Sequence, residues 1–479
     1  MNAEVVRLCE AVREAGGRAM LVGGSVRDQL LGIESKDFDV EVYGLEPAHL
    51  RRILAHIGQV NTVGEHFSVY KVVFYPSRTC DSEGLPLSAE PAPEERFEID
   101  VSLPRRESKS GSGHRGFVID GDPAMSFEEA ARRRDFTINA ILCDPLTGET
   151  VDPYGGREDL TQRILRAVAA DTFIEDSLRV LRAVQLAARF EMTIEPQTIA
   201  LCRTIELSDL PRERIWGEIE KLLTLAERPS IGLDAALQLG VFDKLFPELQ
   251  ALISRQDGDN PKPENPLTHT KLALDEAVEL VGDLPKPKRI AVLLAALCHE
   301  LGNATPTLVA GNTASPEHEK AGREATRSVL NKLGLFGIAS YDVRSQVLAL
   351  VTAHLKPCEF YDSRESTSDG DFRRLAQRVD LDLLYRVAKA CSIGRGSARS
   401  TVAEDWFIER ARALGVEHGP PAPFLQGRHL VEAGFEPGPQ MGRLLRGVYE
   451  LQLDGEVTTL EEALMVALRI APAPPKLFR

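Results

Sequence analysis

The sequence predicts an α+β head with a mixed β-sheet, followed by an all-α remainder. Three observations carry this expectation. Residues 1–145 alternate between runs of helical period and short apolar runs of strand period. Strand-like patterning stops at about residue 155. Beyond it, apolar positions recur at helical spacing, broken by Pro/Gly-rich stretches near 255–266, 302–316 and 416–423. A chain of this length exceeds one hydrophobic core. The expected divisions are a head over 1–150, a helical neck over 151–250, a helical body over 251–415 and a helical tail over 416–479.

Composition excludes some classes. Of 479 residues, 57 are Lys or Arg and 72 are Asp or Glu, for a net charge of −15. At 43% apolar residues the chain can bury an interior and is not of disordered type. The acidic sum argues, at first sight, against a polyanionic partner, but a sum is not a map. Seven cysteines are scattered without a CxxC pair, which predicts a reducing, cytoplasmic setting and buried, inert thiols. The opening MNAEVVRLCEAVREAGG reads as an amphipathic helix rather than a leader. The longest apolar run, 290–298, falls well short of the ~20 residues that span a bilayer, so no membrane partner is expected.

In the head, residues 19–22 form a short apolar strand leading into Gly23-Gly24-Ser25-Val26-Arg27-Asp28, which opens a helix. Glycines at such a junction let the backbone approach a ligand, and a helix start suits phosphate. From these residues alone a plain tight turn is the commoner reading. Strands are expected at 38–43, 69–75 and 97–103, with a surface loop over 76–95. Asp37-Phe38-Asp39 admits two readings. On a strand both carboxylates share a face, where they repel unless a cation such as Mg²⁺ lies between them. On a solvated turn they need no partner. In Glu98-Ile99-Asp100-Val101 two further acids lie on one face of a later strand. Three carboxylates on adjacent strands suit metal-assisted phosphoryl or nucleotidyl transfer.

LVGGSVRDQLLG…KDFDVEVYG, then RRRDFTINAI, DPYGG…DL and EDSLRVLRAV, resemble in order and spacing the tRNA nucleotidyltransferase and bacterial poly(A) polymerase family over residues 20–220. The resemblance implies Mg²⁺ held by Asp37 and Asp39, and Asp100, which precedes Arg105, as the third catalytic carboxylate in place of Glu98. It implies triphosphate binding at Gly23, Gly24 and Arg27, and at Arg134 of Arg132-Arg133-Arg134-Asp135. Asp135 and Asn139 would support the sugar and the adjoining loop. A cluster of Arg beside a carboxylate site is best explained by a phosphate chain between them.

In the neck, Asp176, Arg179 and Arg182 fall along one side of a helix. Spacing alone suggests a surface ion pair; the resemblance implies that they read the Watson–Crick edge of the incoming base. Arg donors and Asp acceptors can mimic a complementary base. Some relatives carry a further Arg where this chain has Gln185. Residues 104–126, with Arg105, Arg106, Lys109 and Arg115 among glycines, are expected to form a mobile loop, which the resemblance makes the lid that switches from C to A addition.

Residues 265–400 resemble a metal-dependent phosphohydrolase domain of HD type, with His269, His299-Glu300, His318 and His354 where such domains place ligands. Three positions depart from that pattern: Glu300 for Asp, Asn303 for Lys and Cys391 for Asp. Residues 427–470, a turn and two amphipathic helices, resemble the tail of bacterial members. The expected activity is template-independent addition of CCA, or part of it, to tRNA 3′ ends from CTP and ATP, with pyrophosphate leaving. The rivals are a poly(A) polymerase of the same fold, a phosphohydrolase acting through the body, and a non-catalytic RNA-binding protein.

Overall fold

In a computed structural model of the chain, the described residues are 2–35, 37–62, 69–75, 97–109, 117–253, 265–304, 316–395 and 400–471. They fall into two compact units: Met1–Pro211 with Gln238–Val241, and Arg212–Leu237 with Phe242–Arg479. The first unit therefore runs through the expected head and on into the expected neck.

In the first unit, α1 (Ala3–Glu14) buries Val5, Leu8, Cys9 and Val12, the i, i+3, i+4, i+7 stripe that its sequence announces. It leads to β1 (Arg18–Val22), α2 (Gly24–Leu30), β2 (Phe38–Tyr43), α3 (Pro47–Ile57), β3 (Gln59–Thr62), β4 (Val69–Phe74) and β5 (Phe97–Ser102). There follow β6 (Arg105–Lys109), β7 (Phe117–Gly121), α4 (Phe127–Arg132), β8 (Leu142–Cys143) and β9 (Thr150–Val151). The main sheet has the order β3-β4-β5-β2-β1-β8-β9. It is mixed: β2 and β5 run parallel, and the other neighbouring pairs run antiparallel. Met20, Val22, Tyr43, Ala130, Ala131, Ala140 and Leu142 pack one layer between sheet and helix, closed by Phe127 and Tyr154.

Two expectations need correction. Residues 104–126 are not simply a loop: β6 and β7 pair antiparallel, Arg105 opposite Gly121 and Lys109 opposite Phe117. The Phe117-Val118-Ile119 run supplies strand propensity to a polar partner whose own composition hides it. Nor do strands end at 155. After α5 (Gly156–Gln162), β10 (Ile164–Leu165) precedes α6 (Ala170–Phe173) and α7 (Leu178–Arg189), and pairs parallel with β11 (Thr193–Ile194). Two-residue strands are set by tertiary pairing and are too short for a periodic signal.

The second unit is helical. The run 290–298 lies within the helix Lys286–Cys298, and each of its residues is buried. A helix that is apolar all round belongs in the middle of a helical core. In the tail, Pro439–Asp454 and Leu460–Ile470 share a separate small core of Leu425, Leu430, Leu444, Val448, Val457, Ala463 and Ala467. Among the described residues, no helix is long and apolar enough to cross a membrane.

Candidate functional site

The turn between β1 and α2 requires glycine. Gly23 has φ +72°, and a Cβ there would stand 3.3 Å from Arg134 Nη1 and 3.5 Å from Asp39 Oδ2. The bare backbone thus runs between a guanidinium and a carboxylate. Pairing explains the company: β1 sets Val22, the residue before the turn, opposite Asp39 on β2.

On its other side, β2 pairs in parallel with β5, and Asp39 stands opposite Asp100. The two carboxylates therefore rise from neighbouring strands on one face. Asp37 immediately precedes β2. Desolvation raises the Asp39 pKa, Arg134 draws it back, and the negative charges of Asp100 and Asp37 raise it further. Carboxylates crowded this way suit a hard divalent cation, which relieves their repulsion and takes oxygen ligands. Glu98 is engaged differently: Lys71 Nζ donates to its Oε2 at 2.8 Å and lies 3.7 Å from Asp100 Oδ1.

The arginine run divides by direction. Arg132 turns to Asp171 at 2.8 Å. Arg133 and Arg134 reach Glu41, at 3.4 and 3.8 Å. Glu41 is 1% exposed and accepts a 2.7 Å bond from the Tyr43 hydroxyl. The Arg134 Nε–H is buried without an acceptor among the described residues, a donor suited to phosphate. Sequence reading missed Glu41, although Asp37, Asp39, Glu41 and Tyr43 alternate along KDFDVEVYG and so share a strand face.

Asp135 is a hub. Its Oδ1 accepts from the Phe136 N–H and from Asn139 Nδ2, and its Oδ2 from Arg182 Nε at 2.6 Å. Burial would raise its pKa, but the Arg182 charge and these bonds outweigh that and hold it below the usual value. Asn139 Oδ1 in turn accepts from Arg27 Nη1 at 2.8 Å, and the Arg27 Nε and Nη2 donate to Asp28 Oδ1. Arg27 is 4% exposed and stacks 4.4 Å from the Phe190 ring centroid. Arg27, expected at the triphosphate, thus braces α2 against Asn139 with its guanidinium among buried acceptors.

On the neck side, Arg179 donates to the Thr172 and Arg133 carbonyls, and Asp176 Oδ1 accepts from the Leu178 N–H at the start of α7. The three neck residues do share the start of α7, but each already has partners in the first unit. Gln185 is buried and its Oε1 accepts no bond among the described residues. In the ribbon, Arg105 is described; the side chains of Arg106 and Lys109, and the whole of Arg115, lie outside the described residues.

A second cluster lies in the second unit. His269 Nε2 and His299 Nε2 are 3.0 Å apart, and Glu300 Oε1 lies 3.6 and 3.5 Å from them. The three atoms fall on a circle of about 2.0 Å radius, the bond length a zinc-like ion makes to nitrogen or oxygen. His299 and His354 each turn Nδ1 to a backbone carbonyl, of Ala296 and Val351, at 2.7 Å, which leaves the His299 Nε2 for the cluster. Arg395 Nη2 stands 3.7 Å from the same Glu300 oxygen. Cys391 is buried, and desolvation pushes its thiol pKa up. The side chains of Asn303 and His318 lie outside the described residues. Of the other cysteines, Cys9, Cys143, Cys202 and Cys298 are buried as expected, whereas Cys358 is half-buried.

Comparison with known proteins gives a consistent picture. The family model described as the poly A polymerase head domain matches residues 19–166, and that of a probable RNA and SrmB-binding site of polymerase A matches residues 191–253. The chain is 35% identical over 325 residues to the multifunctional CCA protein of Xylella fastidiosa (strain M23), covering 66% of this chain and 70% of that one. It is 33% identical over 448 residues to that of Xanthomonas campestris pv. campestris (strain B100), covering 89% and 95%. Among solved structures, a CCA-adding enzyme in complex with CTP shares the fold: TM-score 0.62 at 19% identity, over 99% of this chain and 97% of that one.

Proposed function

The chain belongs to the tRNA nucleotidyltransferase family, the CCA-adding enzymes with a poly(A) polymerase head, and from that premise we propose that it adds C, C and A to the 3′ end of tRNA from CTP and ATP, releasing pyrophosphate, in the cytoplasm. The observation that carries the site is the pairing of Asp39 with Asp100 across two strands, beside a glycine turn flanked by Arg134.

In this reading the head over 1–150 carries the transfer and the neck over 151–250 selects the base. Asp37 and Asp39 hold the cation, taken to be Mg²⁺, and Asp100 completes the acidic face. A divalent ion held there would supply Lewis acidity toward the attacking 3′-hydroxyl and positive charge opposite the leaving pyrophosphate. Gly23 and Gly24 let the triphosphate lie against the backbone, and Arg134, with its buried donor, grips it. Asp176, Arg179 and Arg182 face the base, and binding exchanges some of their present bonds for its edge. Asp135, Asn139 and Arg27 fix the floor beneath the sugar.

The test is incorporation of single labelled nucleotides into tRNA lacking CCA and into tRNA ending in CC. Stepwise C, C, A and then a stop supports the proposal; a long A tail supports the poly(A) polymerase instead. Asp39→Ala should abolish incorporation.

A second activity, metal-dependent phosphoester hydrolysis by the HD-like body over 251–415, is favoured by one observation, the His269–His299–Glu300 triangle. It requires phosphate release that persists in Asp39→Ala and disappears in His299→Ala. Phosphate release lost in Asp39→Ala as well would refute two separate sites.

A further inference from the structure

Glu41 is an unexpected residue for its place. After Asp37, Asp39 and Asp100 it is the fourth carboxylate here, on the strand that carries Asp39, two positions on and on the same face, about 6.6 Å along the strand. It is 1% exposed. A buried acid beside an acidic cluster is costly unless cations hold it there. Two do: Arg133 Nη2 at 3.4 Å from Oε1 and Arg134 Nη2 at 3.8 Å from Oε2. The Tyr43 hydroxyl bonds Oε2 at 2.7 Å and fixes the carboxylate plane.

Arg134 has a competing acceptor. Its Nη1 and Asp39 Oδ2 flank the same point at Gly23, 3.3 and 3.5 Å from where a Cβ would stand. Its Nε–H has no acceptor among the described residues. Arg134 is also the strongest positive influence on the Asp39 carboxyl. A guanidinium that closed on Asp39 would form a bidentate, charge-assisted pair and occupy the oxygens that a cation needs.

We propose that Glu41 is a positioning residue that holds the Arg134 guanidinium off Asp39, keeping the Asp37–Asp39–Asp100 face open to a divalent cation. Glu41 touches neither cation nor nucleotide; it sets which carboxylate the arginine prefers. This rests on the reading of the three aspartates as the cation site, and the experiment separates the two.

The experiment is Mn²⁺ binding to the full chain without nucleotide, read by loss of the free-ion electron paramagnetic resonance signal. The component of interest is the one that Asp39→Ala abolishes; its absence in the wild-type protein would refute the cation site itself. Glu41→Gln keeps shape and removes charge. It should weaken that component about tenfold, the scale of one charge-assisted hydrogen bond. Adding Arg134→Met removes the competing guanidinium and should restore binding to within about twofold of wild type. Unchanged binding in Glu41→Gln, or a loss that the double variant does not restore, overturns the role of Glu41 and leaves the cation site standing. If Glu41→Gln does not fold, Tyr43→Phe removes only the hydroxyl that orients Glu41. Weaker Mn²⁺ binding then supports the proposal and unchanged binding overturns it.

Discussion

Asp135 shows how one side chain serves several elements. It is an ion in a buried place, and its stability contribution depends on pH. Its folded-state pKa is depressed by Arg182, Asn139 and the Phe136 N–H, which outweigh burial. The unfolded value is about 4. Below that value the unfolded chain takes up a proton that the folded chain refuses. The ion therefore stabilises fully at neutral pH, and its contribution is lost as pH falls below about 4 toward the lower folded value. Urea midpoints of wild type and Asp135→Asn should differ most near neutrality and converge in acid. A constant difference would mean that Asp135 acts through shape alone. The triad of Asp135, Asn139 and Arg27 was legible as candidate residues, but its wiring was not. Sequence spacing reports which residues share a helix face. It does not report that Arg27, 112 positions from Asn139, would turn inward to it.

At the scale of elements, the DPYGG segment is a capped junction. Asp152 accepts from the Gly156 and Arg157 N–H groups and so caps α5. A Cβ at Gly156 would stand 2.1 Å from the Thr137 carbonyl oxygen, at the start of the turn that carries Asn139. Gly156→Ala should cost about 1–3 kcal/mol, as overpacking typically does, and displace Asn139. A fall in both thermal midpoint and nucleotide affinity checks this; a fall in neither refutes it. The β6–β7 ribbon spans the segment expected to act as a lid. Shortening it between Arg106 and Ile119 should lose A addition before C addition, read on tRNA ending in CC against tRNA lacking CCA. Equal losses would show that the ribbon only supports the fold. Four strands of the main sheet could be read beforehand, because apolar runs at strand period announce them. The ribbon and the pairs β8–β9 and β10–β11 could not, because β6 is polar and two-residue strands are too short to carry a period.

For the whole molecule, the net charge of −15 is a poor guide to partners. Acids gather at Asp37, Asp39, Glu41 and Asp100, where arginines answer Glu41 and the proposed cation would answer the aspartates. The basic residues proposed to meet substrate lie at Arg105, Arg106, Lys109 and Arg115 and at Arg133 and Arg134. An RNA end held by such a local track should release few counterions. The log–log dependence of tRNA affinity on salt should have a slope of only about −2 to −4. A slope near about −8 would mean a broad basic surface that this composition does not provide.

The sequence by itself determined the α+β head, the largely helical remainder and the family, and it singled out the aspartates and arginines of the candidate site but not Glu41. Period, turn residues and short motifs are local properties, written in consecutive positions. Tertiary structure alone decided the register that sets Asp39 beside Asp100, the burial that makes Glu41 a partner of two arginines, and the inward turn of Arg27. Each depends on which distant strand or helix lies alongside, and a change of one residue in the pairing of β2 would turn Asp39 and Glu41 to the opposite face.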